Sequence, residues 1–272
     1  MYFTFEKLKV MFIGVIFLPY TSANADIHIL SQKECDNMHA SGVMTKTNPV
    51  SCERLRRVNF RHVNFNGTTE EGNVVILDAI AEHTEEIFSE LFEQRFPIHK
   101  AITMEHYEGN DEAAMADNNT SAFNGRPITG GTSWSKHAYG VAIDINPLQN
   151  PYLSFSTDGT AKVLPPSAAT LFVNRSNVRP DKKKRVGMAE DVVDIFTRHG
   201  FMRWGGEWDS PIDYQHFEIG SNDFVNKLIN QSPDSARRTF NHYVESYNFC
   251  MKKYSKGDFF QKRINCIERV RQ

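Results

Sequence analysis

The sequence predicts an α+β fold in which a small, mostly antiparallel β-sheet is flanked by helices and followed by a helical C-terminal extension. Three observations support this prediction. Apolar residues recur at helical spacing within residues 73–96, a short apolar segment at residues 137–145 has the alternation of a strand, and residues 221–272 have mostly helical patterns. The 272 residues suffice for one medium-sized domain with additional segments.

The first 25 residues have the layout of a secretory signal peptide. Lys7 and Lys9 precede the apolar run VMFIGVIFLPY, and Ala23 and Ala25 frame an A-x-A cleavage site. This run of eleven residues is too short to span a bilayer as a helix. We therefore expect cleavage after Ala25 and a periplasmic or secreted protein with no membrane attachment. The alternative is a buried N-terminal helix or an uncleaved anchor.

The cysteines agree with export into an oxidising compartment. Cys35 and Cys52 lie near one end of the chain, and Cys250 and Cys266 lie near the other. An even number of cysteines in an exported chain suggests disulfides, and these four residues allow three connectivities. Local pairing at each end needs the least long-range contact. Neither pair has C-x-x-C spacing, which argues against a redox motif or a structural zinc site.

The segments before the centre of the chain differ in composition. Residues 26–72 are polar and mixed, and we interpret them as an N-terminal arm held by a disulfide. Residues 73–220 form the predicted core domain. This domain begins with an amphipathic helix that ends before Pro97, and a strand is predicted at residues 98–107.

The remaining segments consist of loops, short elements and the C-terminal extension. Residues 108–132 are rich in Gly, Asn, Asp, Ser and Thr, which predicts a long loop of the kind that often carries function. Residues 150–185 form a further insertion. A short helix is predicted at residues 188–199, with Gly200 as its stop signal, and residues 221–272 form the helical extension.

The charge balance gives no argument for a nucleic-acid partner. The formal net charge is −2, so no global field attracts nucleic acid or acidic partners. The basic run at residues 182–185 is interpreted as a solvated loop.

The segment SWSKHAYGVAIDINP, residues 133–147, places a carboxylate inside an otherwise apolar strand. Strand alternation puts Ala142 and Asp144 on one face. A carboxylate in such a position is costly unless it is paired with a cation or a metal ion. His137 precedes Asp144 by seven positions, although a single histidine near a strand more often has a structural role.

A second segment, DYQHFEI, completes a candidate metal site. His216 begins a predicted strand, and Asp213 lies three residues before it. With His137 and Asp144, His216 would supply two imidazoles and one carboxylate, which is a catalytic zinc set with an open position for water. A nearby carboxylate outside this set would act as the base that hydrolysis needs. Glu218, on the same strand face as His216, is an alternative base or a partner that orients an imidazole.

The two motifs, SxHxxGxAxD and D-x-x-H-F, resemble those of the zinc peptidases of the D-alanyl-D-alanine carboxypeptidase family. This family includes the VanY-type carboxypeptidases and the L-alanyl-D-glutamate endopeptidases, and it shares its fold with lysostaphin-type peptidases and the hedgehog signalling domain. The similarity spans about residues 95–220. The matching residues are Ser135, His137, Gly140, Ala142, Asp144, Asp213, His216 and Phe217.

The resemblance implies a role for each central residue. His137, Asp144 and His216 would bind zinc. Asp213 would be the general base, and it is preferred to Glu218 because it matches the acidic-x-x-His pattern of the family.

Two further residues receive expected roles from the resemblance. Arg126, in FNGRPI, would hold a substrate carboxylate or polarise the scissile carbonyl, and a loop salt bridge is the alternative. Ser135 would help to place the substrate or the His137 backbone, and a simple turn residue is the alternative.

The expected function is therefore that of an exported zinc metallopeptidase acting on peptidoglycan stem peptides. The resemblance favours the L-alanyl-D-glutamate endopeptidase branch over the D-alanyl-D-alanine carboxypeptidases, and the loops at residues 108–132 and 150–185 would build the cleft walls that distinguish them. The alternative is a zinc-containing cell-wall or protein binding module of the same fold that does not cut. A secreted structural protein with motifs that match by chance has little support. We expect a monomer.

Overall fold

The computed structural model describes residues 26–128, 131–254 and 257–270. The predicted signal peptide, residues 1–25, lies outside the described residues. The described strands are β1 (Asp26–Ile29), β2 (Leu55–Val63), β3 (Thr69–Leu77), β4 (Ala142–Asp144), β5 (Tyr152–Phe155), β6 (Ala161–Leu164), β7 (Arg203–Trp204), β8 (Ile212–Asp213) and β9 (His216–Glu218). The α-helices are α1 (Gln32–Ala40), α2 (Ala81–Glu93), α3 (Asp111–Ala116), α4 (Val193–Arg198), α5 (Asn222–Ile229), α6 (Pro233–Lys253) and α7 (Phe259–Val270). The predicted α+β class is confirmed.

The strands form three small antiparallel sheets. Their strand orders are β1-β2-β3, β4-β9-β7 and β6-β5-β8. In the second sheet, Asp144 of β4 lies directly opposite His216 of β9. In the third sheet, Tyr152 of β5 lies opposite Asp213 of β8. The registers of two separate sheets therefore fix the positions of Asp144, His216 and Asp213, three candidate site residues identified from the sequence.

One part of the core lies between α2 and the β2–β3 hairpin, and the same cluster continues through β4, β9 and helices α4 to α7. The buried face of α2 carries Ile87, Phe88 and Leu91 at helical spacing. Phe88 stacks on Phe60 of β2 with ring centroids 3.6 Å apart. Full burial of an apolar side chain of this size contributes about 1.5–3 kcal/mol, so this contact anchors the helix to the sheet.

The helix predicted from residue 73 begins only at Ala81, so the predicted start is wrong. Residues 73–77 belong to β3, where Val74 and Leu77 pair with β2. The sequence Val-Val-Ile-Leu is buried on both faces, and a continuous apolar run of this length fits a strand as well as a helix. The predicted boundary between residues 72 and 73 falls inside this strand.

The strand predicted at residues 98–107 is also wrong. This part of the chain has isolated bridges at Pro97 and Lys100, and then a 3-10 turn at Met104–Tyr107. The buried Asn119 side chain accepts from the Ile102 N–H at 2.9 Å and donates to the Ile102 carbonyl at 2.9 Å. A side-chain amide thus replaces the backbone partner that a strand would need.

Gly140 divides the segment that was predicted as one strand. Only Ala142–Asp144 is a strand, and Lys136–Tyr139 forms a 3-10 turn. Gly140 ends this turn with φ +66°, and its carbonyl accepts from the Leu77 N–H at 2.8 Å. A Cβ at Gly140 would lie 2.8 Å from the Leu77 nitrogen. Glycine therefore allows the turn that carries His137 to contact β3 directly.

The C-terminal extension is helical as predicted, and α5, α6 and α7 form it. The disulfides are Cys35–Cys52 and Cys250–Cys266, which is the local pairing. The buried Arg263 of α7 donates to the Thr197 hydroxyl at 3.0 Å and to the Glu207 carboxylate at 2.5 Å. In the part of the chain that the structure describes, no helix is long and apolar enough to span a membrane.

Replacing Gly140 by alanine should destabilise the protein by about 2–4 kcal/mol, because left-handed backbone strain adds to crowding against β3. Gly159→Ala is the matched control, since Gly159 has φ +84° but a Cβ added there would have no atom within 4 Å. We expect the control to cost only about 1–2 kcal/mol. Urea unfolding of both variants measures the difference, and equal losses would contradict the crowding argument.

Candidate metal centre

Three side chains from different elements converge in one buried site. His137 lies in the 3-10 turn that Ser135 begins, Asp144 ends β4, and His216 begins β9. Their relative exposures are only 3%, 4% and 6%. These are the three metal ligands expected from the sequence, and the structure brings them together.

The potential ligand atoms are close to one another. His137 Nε2 lies 3.2 Å from Asp144 Oδ2, and His216 Nδ1 lies 2.9 Å from Asp144 Oδ1. The two imidazole nitrogens are themselves 3.2 Å apart. Two ligands of a tetrahedral zinc ion, each about 2.0–2.1 Å from the metal, are about 3.3 Å apart. The spacing of the three donors therefore fits zinc.

Partners on the far side of each ring fix which nitrogen faces the site. His137 Nδ1 contacts the Ala122 carbonyl, and His216 Nε2 lies 3.3 Å from Glu218 Oε2. Each partner is an acceptor, so each of these ring nitrogens donates its hydrogen. In the neutral rings, the lone pairs of His137 Nε2 and His216 Nδ1 then point at each other and at the Asp144 carboxylate. Such a convergence of acceptors requires a cation.

The local fold supplies these orienting partners. Asp144 exchanges backbone hydrogen bonds with Ser121, at 2.8 and 3.0 Å. This bridge brings the next carbonyl, that of Ala122, to His137. The Ser135 hydroxyl accepts from the His137 N–H at 3.3 Å, which agrees with the predicted role in placing the His137 backbone.

Without a metal ion, a proton takes the place of the cation. Burial opposes the charged form of His216, but hydrogen bonds to Asp144 and Glu218 raise its pKa to about 10. Burial acts to raise the pKa of Asp144, yet the nearby His137 and His216 lower it. A metal ion that binds here must displace the proton of His216, so metal affinity falls as the pH falls.

Glu218 is engaged on both of its carboxylate oxygens. Oε2 contacts His216, and Oε1 lies 3.1 Å from Arg203 Nε. Burial acts to raise the pKa of Glu218, but His216, Lys136 and Arg203 lower it below its usual range. The carboxylate is therefore ionised and positioned to orient His216, which is the second of the two roles considered from the sequence.

Asp213 differs from Glu218 in its surroundings. It lies in β8, and its Oδ1 atom is fully buried without a hydrogen-bond partner, although the residue as a whole is partly exposed. Burial, and then the neighbouring Asp144 carboxylate, raise the pKa of Asp213 to about 7. This carboxyl group can take up and release a proton near neutral pH.

The ligands and Asp213 face a cleft of about 610 Å³. Arg126 also lines it, and its Nη2 lies 2.6 Å from Asp111 Oδ2. Both roles considered for Arg126 from the sequence thus have support, since the guanidinium is in the cleft and is salt-bridged. Other lining residues include Met115, Trp134, Tyr152, Arg203 and Trp208.

Some cleft residues were not identified from the sequence. Asp111 belongs to a run of acidic and small residues in which nothing marks it as a partner of Arg126. Arg203 stands fifteen residues before Glu218, and only the β7–β9 register puts them side by side. The aromatic side chain of Trp208 lines the cleft, with its ring centroid 5.4 Å from that of His216. Phe217 is instead fully buried in the core.

The matched segment includes both motifs. Residues 129–219 match the family model described as D-alanyl-D-alanine carboxypeptidase. The resemblance found from the motifs is thereby confirmed for this segment. It supports a hydrolytic peptidase of the D-alanyl-D-alanine carboxypeptidase type with a peptide substrate. Peptidases of this type are typically zinc-dependent, which agrees with the donor set. No curated protein and no solved structure matches the chain significantly.

Glu218→Gln should weaken zinc binding about 10–100-fold, because the neutral amide orients His216 less well and makes it a poorer donor. Titration against a competing chelator measures the affinity. Asp209→Asn is the control, because Asp209 is an exposed carboxylate on the preceding loop. An unchanged affinity in Glu218→Gln would show that Glu218 does not tune the site.

Proposed function

We propose that the protein is an exported zinc metallopeptidase that hydrolyses peptide bonds in peptidoglycan stem peptides. The observation that carries this proposal is the buried His137, Asp144 and His216 cluster in one cleft with a separate carboxylate, Asp213. This is the combination that metal-assisted hydrolysis of an amide requires. The match to the D-alanyl-D-alanine carboxypeptidase model supports the substrate class.

His137, Asp144 and His216 would hold the metal ion. When bound, zinc acts as a Lewis acid that polarises the scissile carbonyl and makes water more acidic. Asp213 takes a proton from the attacking water and delivers it to the leaving amine. Glu218 keeps His216 in the required tautomer and orientation.

The environment of Asp213 favours it over Glu218 as the base. Its buried Oδ1 has no partner, whereas both Glu218 oxygens are in ion pairs. A general base is most effective when its pKa is near the working pH, and the pKa of Asp213 is raised to about 7. A cation bound beside Asp213 would lower this value, so the base would be ionised at neutral pH.

Arg126 is proposed to bind the substrate at the mouth of the cleft. Its guanidinium suits a terminal carboxylate or the polarised carbonyl oxygen, because a planar cation can donate two hydrogen bonds. The Nε atom of Arg126 is buried without a partner, which leaves donor capacity beyond the Asp111 ion pair. Within this proposal we favour the L-alanyl-D-glutamate endopeptidase type over the D-alanyl-D-alanine carboxypeptidase type, from the resemblance.

Export and assembly are part of the same proposal. The signal-peptide pattern of residues 1–25 and the two disulfides favour a periplasmic or secreted location. We propose a monomer with no nucleic-acid partner and no membrane attachment after cleavage. The alternative, a zinc-containing binding module that does not cut, gives no role to the Asp213 carboxyl group in the cleft, whose buried Oδ1 atom has no hydrogen-bond partner.

Purified peptidoglycan, digested with the zinc-loaded protein and analysed by mass spectrometry, tests the activity and identifies the bond. Fragments should disappear with a chelator and return with zinc. Asp213→Asn should lower kcat about 10²–10⁴-fold while keeping its zinc, because the proton acceptor is lost and the ligands remain. Asp209→Asn is the control.

The pH profile provides a second readout for Asp213. A base acts only when deprotonated, so kcat/KM should fall as the pH drops through the pKa of Asp213, at or below about 7. This acid limb should be absent from the residual activity of Asp213→Asn. A zinc-loaded, folded protein that releases no fragments would favour the binding module instead.

Arg126→Ala should lower kcat/KM about 10–100-fold, since a hydrogen bond to a charged group contributes about 1.5–3 kcal/mol. Asp111→Asn separates the two roles of Arg126, because it removes the ion pair and leaves the guanidinium in place. Substrate binding predicts that Asp111→Asn keeps or raises activity. If Asp111→Asn loses as much activity as Arg126→Ala, the ion pair merely holds the loop.

A further inference from the structure

A second cluster of metal-ligating side chains lies outside the cleft, where α2 meets the end of α4. His83 and Glu86 stand one helical turn apart on α2, and His199 caps α4. None of the three lines the active-site cleft. Glu86 is about half exposed, whereas the two histidine side chains are mostly covered, so the cluster is open to solvent on one side.

The three donor atoms have the spacing of a zinc site. Glu86 Oε2 lies 2.8 Å from His83 Nδ1 and 3.0 Å from His199 Nδ1, and the two nitrogens are 3.4 Å apart. Ligands of a tetrahedral zinc ion are separated by about 3.3 Å. Two imidazoles and one glutamate also form a known zinc ligand set with an open fourth position.

The far nitrogen of each ring is occupied by an acceptor. His199 Nε2 donates to Glu90 Oε1 at 2.7 Å, and His83 Nε2 donates to the side-chain oxygen of Asn241 in α6 at 3.2 Å. Glu90 is itself held by Arg198. In the neutral rings, these contacts leave both Nδ1 lone pairs directed at each other and at Glu86. Metal-binding histidines typically have such a carboxylate or carbonyl oxygen on the second nitrogen.

We propose that His83, Glu86 and His199 bind a divalent transition-metal ion of the zinc class. The ion would join α2 to the end of α4, with solvent in its remaining coordination positions. Because one side of the cluster is open, its ion should exchange faster than one held by the buried His137, Asp144 and His216 set. The competing occupant of the cluster is a proton shared between the two rings and Glu86.

Metal stoichiometry tests this proposal separately from the peptidase. The full chain, freed of metal, is dialysed to equilibrium against Zn²⁺ near neutral pH, and zinc per chain is measured. We expect two ions in the wild type, one in His83→Gln/His199→Gln and one in His137→Ala/His216→Ala. If His83→Gln/His199→Gln binds as much zinc per chain as the wild type does, the proposal is wrong, whether or not the cleft binds zinc.

A milder variant guards against a folding defect. Glu86→Gln removes only the exposed carboxylate, and its Co²⁺ affinity at the weaker site should fall at least about tenfold, since even outer partners of a metal ligand contribute that much. Visible absorption during a Co²⁺ titration measures this affinity. His242→Ala, at an exposed histidine of α6, is the control and should bind as the wild type does. A cluster that holds only a proton would show a single Co²⁺ phase, unaffected by Glu86→Gln.

Discussion

The buried Asp144 carboxylate is the constraint on which the site depends. It lies at the end of a three-residue strand, with the apolar Ile143 and Ile145 on either side in the chain. A charge in such surroundings is tolerated only where cations and hydrogen bonds compensate it. Asp144 meets this condition through two histidines, and their far nitrogens are in turn bonded to a carbonyl and a carboxylate. The two histidines thus compensate the Asp144 carboxylate, and the carbonyl and carboxylate behind them orient the two histidines.

Two of the proposed metal ligands, Asp144 and His216, lie in a different sheet from the proposed base, Asp213. The β4–β9 register fixes Asp144 opposite His216, while the β5–β8 pairing fixes Asp213. Gly205 lets the chain before β8 approach closely, because a Cβ there would lie 2.4 Å from the Asp213 carbonyl oxygen. The adjoining Glu207 is held by the buried Arg263 of α7. The C-terminal extension thus braces the loop that leads to Asp213.

The sequence was informative where a residue type conflicts with its surroundings. The carboxylate in GVAIDI pointed to a compensating cation at Asp144, because the cost of an unpaired buried charge is independent of the detailed fold. The other clustered residues were identified by adding the DYQHFEI segment and the resemblance to the peptidase family. Helix and strand bounds were less predictable. The run Val-Val-Ile-Leu in β3 is compatible with a helix or a strand. It forms a strand because it pairs with β2, and no local sequence pattern reveals that pairing. Partners such as Asp111 and Arg203 depend on tertiary contacts in the same way.

The two histidine–carboxylate clusters have similar donor sets but differ in burial, and this difference is the reason that we propose different roles for them. Both have three donors at zinc-like spacing, and both have acceptors behind each ring. In the cleft, the ligands are almost fully buried, and Asp213 lies beside them with a raised pKa, so electrostatic effects on a bound substrate are strong. At the junction of α2 and α4, the neighbouring carboxylate Glu90 is already paired with Arg198 and bonded to His199. A cation there would meet no free base, so its effect would be to tie two helices together rather than to activate water.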